Sequence, residues 1–354
     1  MRLVLDGVRA WRHDLAGCLH ACAATLFDFA GISPLDALGS GWSFHYRPGD
    51  ARREEYYFPA PPGASLFEAI APHHGATSRW RSPDPDDGAA WRDVRDRVLG
   101  GRPTIVAVDN YHLPFRPAYG DVHSNHLAIV YGFDDEAKTA RVLDAVPPRF
   151  DGDVPIATLA AARASGNPVE HARDQFFTRT PIERRWLDVA IRPGPRRLDR
   201  DAARAAIARN LSRFAGADGG APSDARSGMN GAPRAYDGLD GQARFLADMA
   251  DRIDAGDDVV DELFVVAGTA LAAAGVHGDF IGRLGRETDS AELREAGRAV
   301  DRVAHHWAAL RIIAGRARGD GARSGAASLR RRARALQRDH EHALGDLAHA
   351  MSGL

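Results

Sequence analysis

Residues 124–145, SNHLAIVYGFDDEAKTARVLDA, read as two strands around a polar turn. The runs Ser124 to Asp134 and Ala140 to Ala145 are apolar and β-branched and are bounded by turn formers, and DEAKT between them is too short for a crossover. An antiparallel hairpin follows. If its turn is centred on Asp135, His126 stands opposite Asp144 and Ala128 opposite Val142. Directly opposed side chains have Cβ atoms about 4.5–5.5 Å apart, close enough for an imidazole to donate to a carboxylate. The small Ala128 on that face leaves room for a helix to pack closely. A third strand, PTIVAVD (103–109), is expected to neighbour the His126 strand.

The helix that suits this hairpin lies at GCLHACAATLFDFAG (17–31). Cys18, Cys22, Leu26 and Phe29 fall on one face, Leu19, Ala23 and Phe27 fill the adjacent stripe, and Gly31 is a C-terminal stop. Cys18 follows Gly17 at the helix start, where unpaired N–H groups and the positive end of the helix dipole favour a thiolate. If His126 takes the Cys18 proton and Asp144 holds the other ring nitrogen, the three make the nucleophile, base and orienter set of acyl transfer, with helix-start N–H groups to hold the oxyanion. Cys22 lies one turn further in and reads as core. The spacing of the two cysteines on one helix bridges poorly, so thiols are expected.

Composition narrows the class. The chain has 354 residues, 44% of them apolar, enough for two domains. Lys plus Arg number 46 against 48 Asp plus Glu, so charge gives no reason to expect nucleic acid or an anionic membrane as partner. The first residues hold no sustained apolar segment and no run of about 18 apolar residues is evident, so neither secretion nor membrane spanning is indicated and a cytoplasmic location is expected. Lys138 is the only lysine, which reads as codon bias.

Up to about Arg192 the sequence alternates short strands with a few helices. After Pro195, segments 198–216, 238–254, 257–275, 290–317 and 327–351 all carry the spacing of amphipathic helices. The expected class is α+β: residues 1–195 an antiparallel sheet packed on a central helix, and residues 196–354 a helical domain. Residues 216–238, rich in Gly, Ser, Asp and Pro, read as a long loop.

The order Cys, His, Asp on a central helix and two adjoining strands is the papain-like layout. GCLHACAATLFDFAG, LGSGWSFHY (38–46), PTIVAVDNYHLPF (103–115) and HSNHLAIVYGFDDEAKTARVLDA (123–145) resemble the N-terminal domain of the butirosin-biosynthesis protein H family, and GLDGQARFLADM and HHWAAL are similar to the domain that follows it there. The resemblance implies acyl transfer. A cysteine takes an acyl group from the phosphopantetheine thioester of an acyl carrier protein and passes it to an amine or hydroxyl of a small-molecule acceptor in natural-product assembly. It carries Cys18 over as nucleophile, His126 as base and Asp144 as orienter, and requires no cofactor beyond the carrier's phosphopantetheine arm. The position before the nucleophile is often His in that family and is Gly17 here; His13 and His20 are the nearby imidazoles.

Other residues carry weaker signals. In LGSGWSFHY two glycines precede an aromatic cluster, so Trp42 and Phe44 are candidates to line an acyl pocket; the segment lacks the Lys of a phosphate loop. Asp109, Tyr111 and His112 end the strand beside that of His126 and either meet the acceptor or form a strand-end turn capped by Asp109. A rival metal site would draw on Asp109, His112, Asp121, His123 and His126. The basic run LRRRARALQRDH (329–340) suits an acidic carrier protein or a solvated helix face. His73, His74, His305 and His306 receive no role. The same triad also serves a thioesterase, an amide hydrolase or a chain-releasing cyclase, since the acceptor is chosen by pocket shape and water exclusion. A non-catalytic binding protein would instead keep Cys18 buried and inert.

Overall fold

A computed structural model of the chain describes residues 1–48, 64–83, 87–170, 181–216, 235–317 and 322–353; most of the glycine-rich segment read as a loop lies outside them. In chain order the elements are β1 (Arg2–Val4), α1 (Cys18–Phe29), α2 (Pro34–Gly39), β2 (His45–Tyr46), α3 (Leu66–Ile70), β3 (Ala76–Arg81), α4 (Asp87–Leu99) and β4 (Thr104–Asp109). There follow β5 (Asn125–Asp134), β6 (Thr139–Asp144), β7 (Phe150–Pro155), α5 (Ile156–Ala164), β8 (Trp186–Ile191) and α6 (Arg200–Phe214). The last are β9 (Tyr236–Asp237), α7 (Gly238–Asp254), α8 (Val260–Glu287), α9 (Ala291–Ala317) and α10 (Ala322–Ser352). The class is α+β, an antiparallel sheet with a mostly helical C-terminal region.

The sheet runs β3-β8-β4-β5-β6-β7, every pairing antiparallel, and β1 pairs with the far end of β5. Strands β4 and β5 are buried almost throughout, because both faces of the sheet are covered. On one side α1 contributes Leu19, Cys22, Leu26 and Phe27 against Ile105, Leu127 and Ile129. On the other, α4 and α5 contribute Val94, Val98, Leu159 and Ala162 against Val106, Val108, Ala128 and Val130. Burial on both faces is why these strands read as near-continuous apolar runs rather than as alternation.

The hairpin register differs from the expected one. Val142 faces Val130, not Ala128, and past an irregularity between Val130 and Gly132 the pairs become Gly132 with Arg141 and Asp134 with Thr139. The turn sets this. The Asp134 carboxylate accepts from the N–H groups of Glu136 and Ala137, each at 3.0 Å, and Lys138 adopts the left-handed conformation at φ 53°, so the chain reverses beyond Asp135. A two-residue slip keeps every side chain on its face, because side-chain direction repeats with period two. His126 and Asp144 therefore keep a common face despite the wrong register, but Ala128 on that face packs under α4 and α5, and α1 covers the opposite face at Leu127 and Ile129 rather than the expected one.

The five C-terminal helical patterns correspond to α6 to α10. The pattern read over 257–275 continues as α8 to Glu287, through Gly275, Gly278, Gly282 and Gly285. These glycines hold the helix against its neighbours: a Cβ on Gly278 would stand 2.9 Å from the Gly297 carbonyl of α9, and one on Gly297 the same distance from the Gly278 carbonyl. Although it holds no unbroken run of about 18 apolar residues, α8 is long and apolar enough by length and composition to cross a membrane; 72% of its most apolar window is buried inside the protein, as for a core helix.

One hydrophobic core joins the two regions. It runs from Leu19 and Phe27 through Trp42 and Phe44 to Phe214, Phe245, Val276 and Trp307. Strand β2 pairs with β9 across the same junction. Asp36, at the start of α2, accepts from Arg283 of α8 at 2.9 Å and from the Leu198 N–H at 3.0 Å.

Candidate active site

The C-terminal ends of β4 and β6 and the N-terminal end of β5 lie along one edge of the sheet, as antiparallel order requires, and α1 begins beside it. Cys18 is the first residue of α1. Gly17, the N-cap, is extended at φ −83°, ψ −173°, and no side chain caps the helix. The first intrahelical bond runs from Ala21 N–H to the Gly17 carbonyl at 3.1 Å, so the preceding N–H groups of this turn lie outside the helical ladder. Cys18 is half-buried, whereas Cys22 is buried and both are free thiols.

Cys22 donates to the Leu127 carbonyl at 3.7 Å, and burial, with the neighbouring Cys18 and Asp144 behind it, pushes its thiol well above the ordinary value. That is the chemistry of a structural cysteine.

His126 donates from Nε2 to Asp144 Oδ2 at 2.8 Å, and Cys18 adjoins the ring closely enough to raise it. Since Asp144 occupies Nε2, Nδ1 is the nitrogen left for sulfur. Burial alone lowers the imidazole, but the Asp144 charge and hydrogen bond, with Cys18 after them, outweigh it and lift the group to about 9. Asp144 is held below the usual carboxylate range: burial opposes its charge, and His126, Arg116 and the Val146 N–H together overcome that. The pair is not directly opposed as expected. In the observed register Asp144 lies two residues short of the position facing His126, and the imidazole spans the diagonal.

Arg116 carries no signal in the sequence. It comes from the loop between β4 and β5, and its Nη1 donates to Asp144 Oδ2 and to the Val146 carbonyl, each at 3.0 Å. Asp144 Oδ1 accepts from the Val146 N–H at 2.9 Å, so the residue also caps the turn that leads to Pro147.

Asp109 stands at the same edge, fully buried, and accepts four hydrogen bonds. Tyr111 N–H at 3.0 Å and Ser124 N–H at 3.1 Å meet Oδ1; His123 Nδ1 and Ser165 Oγ, both at 2.6 Å, meet Oδ2. The strand-end turn capped by Asp109 is thus formed. Tyr111 stacks on His123 with centroids 4.1 Å apart, and Tyr111 and His112 are half-buried. Asp109 with His123, and His126 with Asp144, form separate pairs; among the described residues no three His, Cys, Asp or Glu side chains are grouped to hold a metal ion.

Trp42 and Phe44 are in the core. Trp42 packs on Phe214, His277 and His340, and Phe44 stacks on Trp307. The glycines before them serve close approach: a Cβ on Gly39 would stand 2.7 Å from Phe280 Cβ, and one on Gly41 2.6 Å from the Pro72 ring. His13 turns to α8, where it meets Asp279 at 3.1 Å, and its Nδ1 accepts from Leu15 N–H. His20 is buried and, through burial with His13 behind it, lowered to about 4. In the basic run, Arg330 pairs with Asp251 and Asp254.

Among curated proteins none matches the chain. A family model described as butirosin biosynthesis protein H, N-terminal, matches residues 17–145, from the residue before Cys18 to the residue after Asp144. The matched segment, which holds Cys18, His126 and Asp144, is similar to the butirosin biosynthesis protein H N-terminal family.

Proposed function

We propose that the protein is a cysteine-dependent acyltransferase with a papain-like N-terminal region, which moves an acyl group from a carrier-protein thioester to an amine or hydroxyl of a small-molecule acceptor. The observation that carries this reading is the 2.8 Å His126–Asp144 bond, with Cys18 beside the same ring at a helix start. A structural cysteine needs none of these; Cys22, four residues on, has none of them.

In this reading the Cys18 proton passes to His126, and the resulting imidazolium is stabilised by Asp144. The thiolate forms a bond to the thioester carbonyl carbon, and the N–H groups at the start of α1 hold the oxyanion. The carbonyl re-forms, the carbon–sulfur bond to pantetheine breaks, and its thiolate takes the proton from His126. The acceptor then attacks the acyl-cysteine while His126 accepts its proton and returns it to the departing Cys18 sulfur. The donor supplies its own phosphopantetheine arm, so no further cofactor enters. Half-exposed Tyr111 and His112 are the residues proposed to meet the acceptor, and a cytoplasmic setting suits the free thiols.

Intact-protein mass spectrometry after incubation with a panel of acyl-pantetheine thioesters tests this. Wild type and Cys22→Ala are expected to gain the acyl mass, and Cys18→Ala to gain none. An adduct that survives in Cys18→Ala, or no adduct and no turnover with any donor, overturns the reading. Rapid loss of the adduct in water alone would mark a thioesterase or hydrolase, and its release as a ring a cyclase.

A further inference from the structure

We propose that Arg116 is a positioning residue of the Cys18 site: it shares one carboxylate oxygen of Asp144 with His126, and so sets how tightly the imidazolium is held. This rests on the catalytic reading above.

Oxygen Oδ2 of Asp144 accepts from His126 Nε2 at 2.8 Å and from Arg116 Nη1 at 3.0 Å. The Arg116 and Asp144 side chains are 9% and 1% exposed, so solvent screens the pair little. A guanidinium buried against a carboxylate needs a reason, because desolvating both ions offsets most of their attraction. Simple turn-making does not supply one: the turn after β6 is already capped by Oδ1 through the Val146 N–H. Arg116 instead adds a fixed cation at the oxygen that His126 uses. Its other contact, to the Val146 carbonyl, anchors it to the segment that carries Asp144.

The charged and titratable groups around His126 are Cys18 from α1, with Cys22 behind it, Asp144 from β6 and, through Asp144, Arg116 from the β4–β5 loop. Asp144 and Cys18 stabilise imidazolium; Arg116 divides the Asp144 charge and opposes it. Losing the cation therefore leaves imidazolium more stable, a slower proton donor to the leaving thiolate and a better partner for the Cys18 thiolate at high pH.

The test is the rate of Cys18 alkylation by iodoacetamide as a function of pH, in which the thiolate displaces iodide and forms an S–C bond. It needs neither donor nor acceptor. Wild type, Arg116→Gln and Arg116→Lys are compared by peptide mass spectrometry. In Arg116→Gln the upper limb of the profile is expected to move to higher pH by about one unit, the size of shift a neighbouring charge produces. Arg116→Lys, which keeps the charge, is expected to stay near wild type. If the glutamine variant does not fold, Arg116→Met fills similar volume without an unpaired amide and gives the same readout.

A limb that stays put in a folded neutral variant, or that moves equally in the lysine variant, overturns the proposal while leaving the catalytic reading intact. Wild-type labelling no faster than an ordinary thiol, with no pH limb below that of free cysteine, overturns both.

Discussion

At the scale of the residue, Asp144 has two tasks: one oxygen caps a turn and the other orients an imidazole. Asp144→Asn preserves the shape and removes the charge that lifts His126. Burial then prevails and the imidazole falls, so the upper limb of Cys18 alkylation is expected to move down by more than about one pH unit, opposite to Arg116→Gln. Acyl transfer is expected to drop by about 10² to 10⁴-fold, the usual contribution of a positioned base. Because the folded His126 value lies above the unfolded one, its stabilising contribution is complete below about 6.5 and is lost as pH rises through about 9. Thermal unfolding of wild type and Asp144→Asn across that range checks the sign: the stability gap between them should shrink as pH rises.

At the scale of the element, the β5–β6 hairpin shows what a single glycine decides. A Cβ on Gly132 would stand 2.7 Å from the Leu3 carbonyl and 3.0 Å from both Val4 Cα and Arg141 Cβ, so β1 pairs there only because no side chain intervenes. Gly132→Val is expected to cost about 1–3 kcal/mol, the range for forcing extra methyl groups into a packed site. The position lies six residues along the strand from His126, roughly 20 Å away. The denaturation midpoint should fall while Cys18 alkylation of the folded variant keeps its wild-type rate and pH profile; a changed profile would mean that β1 supports the site.

At the scale of the whole molecule, the two regions are joined through buried imidazoles. His277 bonds the Gly39 carbonyl through Nδ1 at 2.6 Å, His340 bonds Gln242 at 3.0 Å, and both pack on Trp42. Burial lowers His277 to about 4; burial, with His277 behind it, lowers His340 to about 3. Their stabilising contribution is therefore present above about 6.5 and is lost as pH falls toward the folded values, where the unfolded chain binds protons that the folded chain refuses. Together they steepen the pH dependence by up to about 2.7 kcal/mol per unit, one proton each at about 1.36. Urea unfolding from pH 7 to 5 should show the loss, and His277→Phe with His340→Phe should flatten it; an unchanged slope would place the acid-sensitive groups elsewhere.

Local pattern determined much of this protein. The apolar spacing of 17–31 specifies α1 with Cys18 at its start, the β-branched runs specify β4 to β6, and the three- and four-residue spacing after Pro195 specifies α6 to α10. The His126–Asp144 partnership was legible because side-chain direction has period two, so a register wrong by two residues still pairs the correct faces. Tertiary structure alone decided the rest. Arg116 reaches Asp144 across 28 positions from an irregular loop, and no periodicity encodes such an approach. Trp42 and Phe44 pack on the C-terminal helices, where Gly39 lets the chain approach α8 at short range. Periodicity reports which face of an element is apolar; which other element covers that face depends on the packing of distant segments.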